Sequence, residues 1–442
     1  MAISPTADAI LQANARHIPG GLSSVNRLAN PNLVFARGAG SHIWDVDGRE
    51  YIDYHGAFAP QFLGFNNPAV TEAVRRTLDS GADLFGSGPS ELEGQLARLV
   101  CDNIDWVERL TVFNSGSEAT AQAIRLARAC TERDHIIVVE GGYNGWHNDV
   151  ACNLMTPLDR LGPRVEAGEY PFHPISAGIP EAHRSLVHVV NFNDLDSVRR
   201  VCEKYPTAAM LTEPILQNVG LIKPRDGYLQ GLRALADEHG FLLIFDEIKT
   251  GFRHAFGGYA QVCGVRPDLA VYGKAIASGY PLAAIAGPAR LIDYFYHPDP
   301  AKRVLLAGTY NAHPLPTAAA IATLETLLED GGREYKRVES LGAKVEAGLK
   351  RTFAENGVTA TVVRQGSAFV VYFMDHPPVD WHDLAANHDF EFDTAFRRAM
   401  IAEGVYFFPV ATKQCSLSLA HTDADVEQTL GAAESALKGV TR

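Results

Sequence analysis

Short apolar runs with few polar interruptions recur through the middle of the chain: Leu110–Phe113, His135–Val139, Val187–Asn191, Ala208–Thr212, Phe241–Phe245, Leu269–Tyr272 and Ala283–Ala286. Each is too short for a core helix, and most lack the alternation of a half-exposed strand. That pattern predicts strands buried on both faces, as in a parallel sheet covered by helices. Helix-like stretches separate several of them, such as Leu229–Glu238 before Gly240. From about residue 67 to 290 the alternation therefore predicts an open α/β sheet. Ligands of such sheets bind beyond the carboxyl ends of the strands.

The flanks read differently. Residues 1–18 predict a helix with Ser4 as N-cap and Pro5 in its first turn, ending at Pro19-Gly20-Gly21. Ser41-His42-Ile43-Trp44 and Tyr51-Ile52-Asp53-Tyr54 flank Asp45-Val46-Asp47-Gly48, a hairpin signature. The Pro- and Gly-bearing stretch 151–184 shows little periodicity and predicts a functional loop or lid. Helices are expected at about 315–330, 334–356, 391–403 and 424–438, with a strand at Ala368–Phe373.

With 442 residues the chain is long enough for two or three domains and needs no disulfide or metal to fold. A formal net charge of −13 and the absence of a Lys/Arg run argue against nucleic acid or an anionic membrane as partner. No stretch approaches the roughly 18 apolar residues of a membrane span. The six cysteines form no C-x-x-C pair, so no metal site is expected, and reduced thiols in a cytoplasmic protein are.

Four features carry candidate chemistry. Phe241–Phe245 delivers Asp246 at its carboxyl end; such an Asp is usually a cap, but it also suits the nitrogen of a buried pyridine ring, which a carboxylate keeps protonated. Leu269–Tyr272 similarly ends near Lys274, about one βαβ unit later. A lone lysine there is usually solvated, whereas one beside Asp246 is a candidate imine-forming amine if its pKa is lowered. Asn114-Ser115-Gly116-Ser117-Glu118 opens an Ala-rich helix, with Ser115 and Glu118 as a capping box. Its free N–H groups and dipole make it an anion site as well as an ordinary capped helix. Tyr143, in the glycine-rich run Glu140–His147, can stack on a flat ring or simply pack locally. Together the four describe a site for a ring-shaped, phosphate-bearing aldehyde.

On these residues the chain resembles the class III aminotransferases of pyridoxal 5′-phosphate (PLP) fold type I, within the branch that holds glutamate-1-semialdehyde aminomutase and the β-amino-acid aminotransferases. Matching segments run in order along nearly the whole chain. They include Asn114-Ser115-Gly116-Ser117-Glu118-Ala119, Tyr143-Asn144-Gly145, Glu213-Pro214, Asp246-Glu247-Ile248-Lys249-Thr250-Gly251-Phe252-Arg253, Gly273-Lys274, Gly308-Thr309-Tyr310 and Ala420-His421-Thr422. The resemblance implies an α/β large domain (67–325) with a mostly parallel seven-stranded sheet, and a smaller α+β domain built from 1–66 and 326–442. It implies PLP as cofactor, bound covalently by Lys274, with Asp246 at the ring nitrogen, Tyr143 stacked on the ring, Asn218 close by, and Ser115, Gly116 and Ser117 at the phosphate. Thr309 would reach the phosphate of the other subunit of a homodimer. Arg27 would hold a substrate carboxylate.

Three departures stand out. Asn144 replaces the histidine of the family's Tyr-His-Gly, and Ala275–Pro281 alters the glycine-rich stretch after the lysine. Lys413 stands where the aminomutase pattern has a glutamate, which reverses the charge offered to a substrate's distal group. The expectation is an aminotransferase that passes an amino group from a small amino-acid or amine donor, β-amino acids included, to a keto-acid acceptor. Its alternative is an isomerase on the same scaffold, an aminomutase or an amino-acid epimerase.

Overall fold

The computed structural model describes residues 4–329 and 331–440. The first three residues of the expected N-terminal helix, the last of the helix expected to end near 330, and the chain's last two residues lie outside them. The chain divides into two compact units.

The larger unit, Pro68–Tyr335 with Pro378–Asn387, is built on a seven-stranded sheet. Its strands are β1 (Arg109–Phe113), β2 (His135–Val139), β3 (Val187–Val190), β4 (Thr207–Thr212), β5 (Leu242–Glu247), β6 (Leu269–Tyr272) and β7 (Ala283–Gly287). They lie in the order β1-β7-β6-β5-β4-β2-β3. Neighbours from β6 to β3 run parallel, and β7 alone runs antiparallel, to both β1 and β6. All seven strands arise from the seven apolar runs, because a strand covered on both faces must be apolar throughout. Ile137, Leu211, Ile244 and Val271 are fully buried. Each such side chain contributes about 1.5–3 kcal/mol of burial free energy.

Helix α1 (Gly116–Thr131) lies against this sheet through Ala119, Ala123, Ile124, Leu126 and Ala127, all at 0% exposure; its small residues allow close approach. Helix Tyr228–His239 stops at Gly240, whose φ of 70° is the left-handed C-cap expected of glycine. The unit reaches past residue 325, because Tyr335 donates to the Phe252 carbonyl at 2.8 Å. It also takes in the segment 378–387: Trp381 Nε1 donates to the Thr156 carbonyl at 2.8 Å, and Arg164 pairs with Asp380 at 2.8 Å. These contacts tie down the stretch 151–184, expected to be a lid. Asn153 fastens it further, donating to Glu140 at 2.6 Å and accepting from the His173 N–H at 2.7 Å.

The smaller unit, the chain up to Asn67 with Lys336–Pro377 and everything from His388 onward, is α+β. The expected hairpin is formed by His42–Asp45 and Glu50–Asp53; Asp45 Oδ1 accepts the N–H groups of Asp47 and Arg49, and Gly48 takes a φ of 83°. Two strands flank it, Phe35–Ala39 and the short parallel Val405–Tyr406. A second sheet places Ala368–Tyr372 between Thr361–Gln365 and Cys415–Ser416. Among the described residues no helix is long and apolar enough to cross a membrane.

Candidate active site

β5 and β6 are adjacent and parallel, with Asp246 opposite Val271 and Glu247 opposite Tyr272. Both strands end on the same edge, which brings together Asp246 and Lys274, the second residue past β6. Asp246 is 2% exposed. Its Oδ2 accepts from Asn144 Nδ2 at 2.7 Å and its Oδ1 from the Ile248 N–H at 3.0 Å. Burial pushes its pKa up, and Asn144, Ile248 and the charge of Lys274 oppose that rise.

Lys274 opens a 3₁₀ turn, Lys274–Ala277, with a φ of 47°. A non-glycine residue in the left-handed region carries strain of about 1–3 kcal/mol, which is retained mostly at functional sites. Loss of solvent around its ammonium pushes its pKa down; Asp246 and Glu213 resist, and the charge of buried Arg253 adds to the fall. The balance moves towards the neutral amine, the nucleophilic form.

Glu213 follows β4 and is buried. It accepts the Tyr143 N–H at 3.0 Å and the Gln217 N–H at 2.9 Å. Burial, helped by the charge of Asp246, lifts its pKa to about 7. Through Tyr143 it fixes the loop after β2, and Thr120 Oγ1 fixes the same loop by donating to the Asn144 carbonyl at 2.7 Å. Gly141, at a φ of 85°, tolerates no side chain, since a Cβ there would lie 2.8 Å from Trp381. Sequence reasoning assigned no role to Glu213, although it carries the same signal as Asp246: an apolar strand ending in a carboxylate.

At the start of α1 both halves of the capping box are present. Glu118 accepts the N–H groups of Asn114 and Ser115, at 2.8 and 2.9 Å. The next two N–H groups, of Gly116 and Ser117, have no partner among the described residues. Two such donors at the positive end of a helix suit a phosphate. The approach is tight: a Cβ on Gly116 would lie 2.5 Å from Ile248 Cδ1, and one on Gly145 would lie 2.8 Å from Ser117 Oγ.

Asp246, Lys274, Tyr143, Asn218 and the 115–117 turn thus all belong to the larger unit; Tyr143 and Asn218 are partly exposed. Thr309 is exposed in the turn before helix Pro314–Leu328. Arg27 and Lys413 belong to the smaller unit. There Arg27 lines a cavity of about 560 Å³ whose wall includes Phe35, Phe58, Tyr406 and Phe408.

The model of the aminotransferase class-III family matches residues 24–437. The chain belongs to that family. Along 98% of its length it is 39% identical to a glutamate-1-semialdehyde 2,1-aminomutase of Thermus thermophilus, over 99% of that protein. Among solved structures it resembles an ω-transaminase from Sphaerobacter thermophilus, with a TM-score of 0.90 and 30% identity over 98% of this chain and 97% of the other. It also resembles a β-phenylalanine aminotransferase from Variovorax paradoxus, with a TM-score of 0.84 and 30% identity over 99% and 94%.

This class-III chain is therefore an enzyme with the PLP-dependent transaminase fold, and PLP is its cofactor. The residues present fit that group: a buried acid for a ring nitrogen, an amine of lowered pKa for an aldehyde, and two unpaired helix N–H groups for a phosphate. Of the two activities expected from the sequence, the curated relatives carry the name of the alternative, the aminomutase.

Proposed function

We propose that this enzyme moves an amino group on a small carboxylate-bearing substrate, and that it does so within one molecule, as an aminomutase-type isomerase. The observation that carries the chemistry is the pairing of half-buried Lys274, its pKa lowered, with buried Asp246 on adjacent strand ends. The full-length relatives named aminomutase favour the intramolecular course.

When bound, PLP supplies an aldehyde for amine exchange and a protonated ring that takes up the electron pair left when a C–H bond at the amine-bearing carbon breaks. The chain's part is to hold and time that event. Lys274 Nζ would hold the cofactor and would take the proton from the amine-bearing carbon. Asp246 keeps the ring nitrogen protonated, and Asn144 keeps Asp246 in place. Tyr143 would stack on the ring with Asn218 close by, Gly116 and Ser117 would donate to the phosphate, and Ser115 caps their helix. Arg27 anchors the substrate carboxylate with its planar fork. We extend the proposal to a homodimer in which Thr309 serves the phosphate of the second subunit.

Lys413 favours a second reading, an aminotransferase acting between an amino donor, β-amino acids included, and a keto acid. A cation where the aminomutase pattern has an acid suits an incoming distal carboxylate, and the 30%-identical transaminase structures agree with exchange between two substrates. Holoenzyme given glutamate-1-semialdehyde and no keto acid separates the two. Catalytic conversion to the amino-shifted isomer supports the isomerase. A single stoichiometric spectral change that becomes turnover only on adding a keto acid overturns it in favour of transfer.

A further inference from the structure

In the smaller unit one carboxylate gathers three donors. Asp393 lies on α2 (Phe390–Ala402) and is 1% exposed. Its Oδ1 accepts from Arg397 Nε at 2.6 Å, and its Oδ2 accepts from the Thr412 N–H at 2.6 Å and from His388 Nε2 at 3.1 Å. The tautomer of His388 is set by its other nitrogen, because Nδ1 accepts the Phe373 N–H at 3.1 Å and so leaves the proton on Nε2. Arg397, also 1% exposed, donates through Nη1 to the Phe408 carbonyl at 3.3 Å. The pair therefore grips the chain at two places, Phe408 and Thr412, on either side of Pro409-Val410-Ala411.

What it grips is unusual. Thr412 has a φ of 62°, a conformation a β-branched residue keeps only when its surroundings dictate it. Its own hydroxyl has no hydrogen-bond partner among the described residues, and the turn is held from the backbone N–H by Asp393. In the run 411–418 every residue is buried except Lys413. The held turn thus gives that one side chain a fixed outlet. Burial raises the pKa of Asp393, but the charge of Arg397 and the bonds from His388 and Thr412 outweigh it and keep the carboxylate ionised. Replacing a buried ion pair by apolar residues of the same volume is often neutral or stabilising, which leaves a conformational role as the reason to keep one.

We propose that Asp393 is a positioning residue that fixes the turn carrying Lys413 and so sets the enzyme's preference for the charge on a substrate's distal group. The inference rests on the reading of Lys413 as a substrate-facing residue.

The test is spectral titration of the holoenzyme with L-glutamate and with L-glutamine, which differ in distal charge at equal length. Lys413→Ala should lower the preference for glutamate about tenfold through binding, the effect of losing one charge pair. Asp393→Asn, whose amide nitrogen must face at least one of the three donors, should lower it in the same direction, and the double variant no further. Thr412→Gly in the Asp393→Asn background should restore most of the preference, because glycine takes the left-handed turn without strain. A purely structural role would lower the melting temperature and leave the preference unchanged; that result, with Lys413→Ala active in the assay, overturns the proposal alone. No effect of Lys413→Ala, or binding of neither amino acid, overturns the substrate reading of Lys413 and the proposal with it. If Asp393→Asn yields no folded holoenzyme, Arg397→Lys, which loses the bond to Phe408, is read in the same assay with the same expected direction, and an unchanged preference overturns the proposal.

Discussion

Asn144 Nδ2 donates to Asp246 Oδ2 at 2.7 Å, and both side chains are buried. The amide cannot titrate, so it orients the carboxylate without competing for its proton. Asn144→Ala removes a hydrogen bond to a charged group, worth about 1.5–3 kcal/mol. The expected outcome is roughly ten- to hundredfold weaker PLP affinity with the fold intact, measured by absorbance titration of the apoenzyme. Unchanged affinity would mean that Asp246 is held well enough without it.

The crowding at Gly116 makes a paired prediction. Gly116→Ala brings a methyl to 2.5 Å from Ile248 Cδ1, the end of a flexible side chain. The variant should bind PLP more weakly, as the helix start is pushed off its phosphate-binding position. Adding Ile248→Val removes the clashing carbon and should recover most of the affinity in the same titration. Failure of the second change to rescue the first would show that the methyl obstructs the cofactor itself rather than Ile248.

Glu247 is a structural counterpart of its neighbour Asp246. It is fully buried and accepts the N–H groups of Tyr259 and Ala260, at 2.9 and 2.7 Å, and the hydroxyl of Thr250. Burial lifts its pKa from 4.5 to about 7, and these bonds only partly offset the rise. The folded state therefore binds this proton more tightly than the unfolded chain does. The resulting stability is complete below about pH 4.5 and is lost as pH climbs towards 7, a change of about 3 kcal/mol. Glu247→Gln cannot titrate and also mismatches one of the two N–H groups. It should be less stable overall, yet its stability should fall less steeply between pH 5 and 8 than that of the native enzyme, as read by denaturant unfolding at each pH. Parallel slopes would place the titration elsewhere.

The larger unit was legible because buried parallel strands are apolar along their whole length, and an acid or a lysine at the end of such a run is conspicuous. The strand order, and the reversal of β7, depend on which edges pair and leave no mark on the local pattern. Asn144 was visible only as a departure from Tyr-His-Gly; its bond to Asp246 joins residues far apart in the chain. Asp393 and Arg397 have the spacing of an ordinary surface ion pair on a helix, and nothing local distinguishes a buried pair from an exposed one. Thr361–Gln365 and Cys415–Ser416 are short or polar enough to pass for loop, and they become strands only through pairing with Ala368–Tyr372. The stretch 151–184 lacks periodicity because its helices, Leu158–Leu161 and Glu181–Arg184, are four residues each and its backbone pairs, such as Asn153 N–H with the His173 carbonyl and Tyr170 N–H with the Val189 carbonyl, are isolated.

The central claim is that Lys274 is the amine that holds PLP. Borohydride reduction of the holoenzyme, followed by proteolysis and mass spectrometry, tests it most directly. The account predicts the reduced cofactor's mass on the peptide containing Lys274, and no adduct or turnover in Lys274→Ala. An adduct on a different lysine, or a Lys274→Ala enzyme that still turns over, would contradict it.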